Sequence, residues 1–293
     1  MLWISYAFLS AAIGAGLSLI EKKILNKAHA MEFSATLGII NLLLVLPLAF
    51  FIDFSSLNPI AVLLILAVTI IASSAYLLSM KALRHSEVSS ISPFFVMQPG
   101  LVAIMAFFVL GEKLNLLQIL GLSFFIIGSF ILEARDHGKF SFIGFFRNIK
   151  ASKYLHYVFY ALILYSVSAL MDRFIITTYD MSPMPYFFLA HIFTGINFFV
   201  AHSIFHDGYK GVANGIKTYK WWILLLAALT LSQRFFWVLA VKYTTHVGIA
   251  SAIKRLSPFF VVMIGGEIFH EHNLRQKAVA CLVMFIGAVL VVI

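Results

Sequence analysis

Apolar residues run along the chain in windows of about 20, the length that crosses the hydrocarbon core of a bilayer as a helix. Ten such windows fall near residues 2–20, 33–52, 59–80, 88–110, 115–132, 154–178, 184–205, 221–242, 247–269 and 275–293. Polar residues gather in the gaps, most of which are short. The longest gap, Glu133 to Lys153, carries Arg135, Lys139, Arg147, Lys150 and Lys153 and falls at the middle of the chain. The pattern predicts an all-α integral membrane protein with ten transmembrane helices. A first five-helix unit spans 1–132, a basic connecting loop 133–153 and a second five-helix unit 154–293. No small-residue cleavage site follows the apolar stretch from Leu2, which reads as a retained first span.

The two units repeat. Pro99, Glu112 and Gly128 correspond to Pro258, Glu271 and Gly287 at a constant shift of 159, which also pairs Val88 with Val247 and Ser92 with Ser251. The front ends match at a shift of 151, where Ile20-Glu21-Lys22 resembles Met171-Asp172-Arg173. Apolar sequence produces chance similarity, but Pro, Glu and Gly shared at one register do not come from hydrophobicity alone. Five spans per unit is an odd number, so the second unit enters the membrane in the opposite sense to the first. Such inverted repeats place a substrate site near the midplane, at the repeat interface, and rock one unit against the other to expose it alternately.

Composition narrows the class. Hydrophobic residues make up 62% of the chain and charged residues only 11%, against about 25% charged in soluble domains. The net charge of +9 lies mainly in short loops between apolar windows, which reads as membrane orientation and not as nucleic-acid binding. The single cysteine, Cys281, excludes an intrachain disulfide.

Charges inside the windows carry the candidate chemistry, because each costs roughly 2.5–3.5 kcal/mol on insertion and therefore faces protein or a watery cavity. Span 1 ends in Glu21-Lys22, span 6 contains Asp172-Arg173, span 8 contains Arg234 and span 9 contains Lys254-Arg255. By adjacency Glu21 offsets Lys22 and Asp172 offsets Arg173, either as ion pairs or as proton-coupling carboxylates, which leaves Arg234, Lys254 and Arg255 without an obvious intramembrane acid. Arginine presents a planar fork to carboxylate or phosphate and lysine a point charge, so the surplus predicts an anion site completed by Ser257, Trp237 and Tyr243. The competing reading is a buried network in which Asp172, Glu21 or Glu267 neutralises the cations. Pro93, Pro99 and Pro258 are candidate kinks, since each frees a carbonyl four residues earlier. Exposed backbone at membrane depth is tolerated where it lines a cavity.

The remaining polar motifs are weaker. His202 and His206 have i,i+4 spacing, and His270-Glu271-His272 is not H-E-x-x-H, so no metal site and no cofactor is predicted. Glu112 and Glu271 lie at the turns after spans 4 and 9, where they are placed to accept hydrogen bonds from the free amides of the next helix. No phosphate-binding G-x-x-x-x-G-K-[ST] motif is present, which argues against ATP drive within this chain.

With these residues in view, the chain resembles the drug/metabolite transporter superfamily, and within it the EamA-type ten-helix carriers. Pro99…Gly111-Glu112-Lys113…Gln118…Gly121…Gly128 fits the family pattern closely, and Pro258…Glu271…Gly287 repeats it with His270 in place of the glycine. Lys254-Arg255 is similar to a Lys-Arg pair that the plastid sugar-phosphate translocators of this superfamily use to bind phosphate. The resemblance implies a multi-pass plasma (bacterial inner) membrane transporter of a small metabolite, with the bilayer as its other partner, and leaves pairing into a homodimer open. The expected cargo is anionic or zwitterionic. The alternatives are a broad amino-acid or drug exporter with structural Lys254-Arg255, or an intramembrane enzyme acting on lipid-linked substrates. Orientation is contested. The loops after spans 1, 3, 5, 7 and 9 hold fifteen Lys and Arg against three on the other side, Lys113, Arg173 and Lys242. Positive-inside bias then puts both termini outside the cytoplasm, where the resemblance implies the reverse.

Overall fold

The computed structural model describes residues 2–25, 29–54, 57–85, 95, 98–133, 153–254 and 256–257, with isolated positions between 279 and 290. Among these every regular element is helical. The elements are α1 (Leu2–Leu25), α2 (Ala30–Val45) continuing as a 3₁₀ turn (Leu46–Phe51), α3 (Pro59–His85), α4 (Gln98–Leu110), α5 (Leu116–Glu133), α6 (Lys153–Thr178), α7 (Pro183–Phe205), α8 (Tyr209–Tyr219), α9 (Trp221–Tyr243) and α10 (Val247–Lys254). Five segments are long and apolar enough to cross a membrane: Ala30–Phe51, Pro59–Ala82, His156–Thr178, Pro183–Phe205 and Trp221–Tyr243. Three shorter apolar stretches, Leu2–Ser18, Gln98–Leu110 and Leu116–Gly128, occupy the predicted first, fourth and fifth windows. The predicted eighth span is α9, and α10 covers the start of the predicted ninth; the rest of that window and most of the tenth lie outside the described residues.

Local chemistry accounts for several boundaries. Pro47 lacks the amide that would continue α2, so the predicted single helix over 33–52 tightens into a 3₁₀ turn from Leu46. At the start of α5, Asn115 Oδ1 accepts the Gln118 amide at 2.8 Å and Gln118 Oε1 accepts the Asn115 amide at 3.0 Å, a reciprocal cap. Between α4 and α5, Gly111 takes φ +68 and the Glu112 amide folds back onto the Ala106 carbonyl. A side chain at that left-handed position would be strained. The gap between α7 and α9 was predicted as a loop and instead holds α8.

Helix contacts fall into matched pairs. α1 packs on α9 and α3 on α6; α2 packs on α7 and α4 on α10; α4 also touches α6 as α1 touches α10; and α3 touches α7 as α2 touches α9. Small residues let these pairs approach. A Cβ on Gly195 of α7 would lie 2.8 Å from the Gly38 carbonyl oxygen and 2.9 Å from Leu42 Cβ in α2. Both are tighter than van der Waals contact and one is to rigid backbone. Gly195→Ala is therefore expected to destabilise by about 1–3 kcal/mol through overpacking, read as a lower unfolding temperature in detergent. Large apolar side chains such as Leu63, Phe108, Leu116 and Ile204 are exposed on the outside, the surface a lipid-embedded protein presents.

Candidate functional site

Asp172 on α6 is the centre of the polar interior. It is 2% exposed, and its Oδ2 lies 3.0 Å from Arg234 Nη2 of α9 while its Oδ1 accepts the Tyr186 hydroxyl of α7. Three helices are thereby joined through one carboxylate. Adjacency had assigned Asp172 to Arg173; the structure corrects this. Neighbouring residues on a helix diverge by about 100°, so Asp172 points inward at α9 and Arg173 points toward the helix end. Arg234 is also corrected, because it has an acid partner within the spans. One nitrogen of its guanidinium is engaged with Asp172, and its side chain is 25% exposed.

Beyond Arg234 the polar surface continues. The Lys254 ammonium stands 4.3 Å from the centre of the Trp237 ring, itself 3% exposed, which places the cation on the negative face of the aromatic quadrupole. Gly14 of α1 lies against two polar side chains: a Cβ there would lie 2.6 Å from Gln233 Nε2 and 3.3 Å from Ser257 Oγ. Ser10 Oγ donates to the Gln233 carbonyl at 3.1 Å. Gln233 of α9 and Ser257, three residues after Lys254, thus meet the small-residue face of α1. Gln233 and Gly14 were missed from sequence; a glycine opposite a polar side chain between apolar helices was the available signal.

The first half carries a related tie. Tyr76 of α3 donates to Glu21 Oε1 of α1 at 3.0 Å, at positions 151 residues before Asp172 and 158 before Arg234. A neutral hydroxyl stands there in place of the guanidinium. Ser79 Oγ lies 3.3 Å from Tyr165 OH, and Tyr165 is close enough to both Tyr76 and Arg234 to interact electrostatically with each.

A second cluster closes the end of α6. Arg173 Nε lies 3.5 Å from Glu112 Oε1, and Arg173 Nη1 donates to the Val241 carbonyl at 2.8 Å. The other oxygen, Glu112 Oε2, accepts the Val247 amide at 3.0 Å, so Glu112 caps α10 and not the next helix, α5. Burial raises the Glu112 carboxyl above its ordinary value, opposed by the Val247 amide and the Arg173 and His246 charges. His246 Nε2 lies 3.1 Å from the Lys113 carbonyl, which only accepts, so Nε2 carries the proton and Nδ1 faces the Thr245 hydroxyl at 2.9 Å. At the rim, Lys242 pairs with the exposed Asp180 and holds its carboxyl below the usual range.

The other predicted site residues are placed as follows. Tyr243 is 56% exposed, stands 6.4 Å from Tyr6, and is not drawn toward Asp172. Pro99 is buried in the first turn of α4. Arg255, Pro93, Pro258 and the Lys22 side chain lie outside the described residues.

No curated relative matches the chain. One solved structure, titled only as a crystal structure of a protein, superposes with a TM-score of 0.76 over 100% of this chain and 99% of that one, at 14% identity. That likeness establishes a shared fold. Residues 1–133 match the EamA-like transporter family, which comprises the first set of spans together with the Gly111-Glu112 turn. With its apolar helices and that match, the chain is an all-α integral membrane protein whose first half is EamA-like, consistent with membership of the drug/metabolite transporter superfamily.

Proposed function

We propose that the protein is a secondary transporter that moves a small anionic or zwitterionic metabolite by alternating access between two inverted five-helix repeats. The observation that carries the reading is Lys254: a cation within an apolar span, seated on Trp237, which stands one helical turn along α9 from Arg234 and Gln233. Arg234 retains donors beyond the one given to Asp172, and its partial exposure leaves them available to a ligand. The repeat reading draws support from the larger helix contacts, since exchanging each span for the one five places along turns α1–α9 into α3–α6, α4–α6 into α1–α10 and α3–α7 into α2–α9. A transporter of this kind catalyses no covalent step.

Thermal unfolding tests the proposal. Wild type, Lys254→Gln and Arg255→Ala are heated in detergent with phosphorylated metabolites, carboxylates, amino acids and cationic drugs. A ligand at about 100 times its Kd stabilises the native state by about 2.7 kcal/mol. Anions are expected to raise the unfolding temperature of wild type and to lose that effect in both still-folded variants. If amino acids or drugs stabilise all three proteins alike, Lys254-Arg255 are structural and the broad exporter replaces the anion carrier.

A further inference from the structure

The helix α8, Tyr209–Tyr219, has four distinct sides. It begins after Gly208 at φ +55 and ends at Lys220 at φ +51, so the chain turns sharply at both ends, and α8 packs on α2 and touches α9. Val212, Gly215 and Tyr219 are buried. They seat α8 on the protein: Gly215 leaves no room for a Cβ beside the Thr36 hydroxyl, Tyr219 meets Phe33 edge-on at 6.0 Å, and Asn214 Nδ2 donates to Glu32 at 3.3 Å. At about 100° per residue, Tyr209 and Ile216 share a flank roughly a quarter-turn from that buried stripe. Both are exposed, at 68% and 40%. Lys210 and Lys217 share the side roughly opposite the protein, exposed and about 10 Å apart along the axis. The remaining polar positions, Asn214 and Thr218, face away from the apolar flank.

This is the arrangement of a helix lying in a membrane surface, with protein on one side, acyl chains below and water above. The fourth side, pointing outward along the membrane plane, carries the two lysines. Lys220 and the exposed Trp221, stacked on Trp222 at 4.0 Å, continue the band. The nearby acids are few: Glu32 is tied to Asn214, and Asp207 precedes the helix. We propose that Lys210 and Lys217 form a binding site for the headgroup of an anionic phospholipid. The lipid phosphate sits between the ammonium groups, and its acyl chains run down past Tyr209 and Ile216.

The test uses the full chain with Cys281→Ser and a fluorophore at Thr218→Cys, in phosphatidylcholine vesicles containing phosphatidylglycerol. Quenching by headgroup-labelled phosphatidylglycerol is compared with quenching by labelled phosphatidylcholine. Enrichment of the anionic lipid at α8 is expected to be about fivefold per lysine, to fall in Lys210→Gln/Lys217→Gln, to persist in Lys210→Arg/Lys217→Arg, and to weaken with salt. Equal quenching by the two lipids, or enrichment unchanged in the glutamine variant, overturns the proposal. So does displacement by soluble glycerol phosphate, which would make this a site for a dissolved anion.

Discussion

Asp172→Ala is expected to lower stability by about 3–5 kcal/mol, because it strands a charged partner in the interior. Asp172 is almost wholly buried and gathers both the Arg234 guanidinium and the Tyr186 hydroxyl. Its removal leaves the guanidinium without its counter-charge and the hydroxyl without its acceptor. Replacing both members of the ion pair by apolar residues of similar size, as in Asp172→Leu/Arg234→Met, is expected to recover much of the loss, since a buried pair often contributes little beyond an apolar substitute. Unfolding in detergent of the two single variants and the double variant checks this. A double variant as unstable as the sum of the singles would show that the residues do not act as a pair. The Tyr76→Phe variant gives the contrast. It removes only a hydroxyl from Glu21, so about 1–2 kcal/mol is expected there.

Much of the architecture was legible because membranes demand it. Lipid hydrates no backbone groups, so apolar windows must be helices, and eight of the predicted windows reappear as apolar helices. The charged residues at membrane depth were equally legible, but their partners were not. Adjacency suggested Asp172 with Arg173, although a helix turns neighbours apart. The repeat held the better clue: Glu21 and Asp172 are equivalent by one shift, and their partners Tyr76 and Arg234 are separated by nearly the same interval. Glu112 went to the Val247 amide of α10 because tertiary packing, not chain order, decides which helix end lies within reach. The short helix α8 escaped notice for a different reason. Its Gly, Asn and Lys content reads as loop, and only the i, i+3, i+7 spacing of Val212, Gly215 and Tyr219 announces a helix face.

Glu112 separates the charge of a carboxylate from its hydrogen-bonding capacity. Glu112→Ala removes the cap of α10 and the counter-charge of Arg173 together, and a cost of about 2–3 kcal/mol is expected for this mostly buried cluster. Glu112→Gln keeps an oxygen for the Val247 amide, and Arg173 keeps the Val241 carbonyl at 2.8 Å, so about 1 kcal/mol is expected. The two variants also differ from wild type in pH dependence. Burial raises the native Glu112 carboxyl above its ordinary 4.5, so the folded protein holds this proton over a range in which the unfolded chain has released it. Wild-type stability relative to Glu112→Gln therefore falls as pH rises through that range and levels off above it. Unfolding temperatures of both across a pH series measure the slope. A difference that rises with pH instead would mean that Arg173 and the Val247 amide outweigh desolvation, and that the cluster is a stabilising ion pair whose charge is favoured in the folded state.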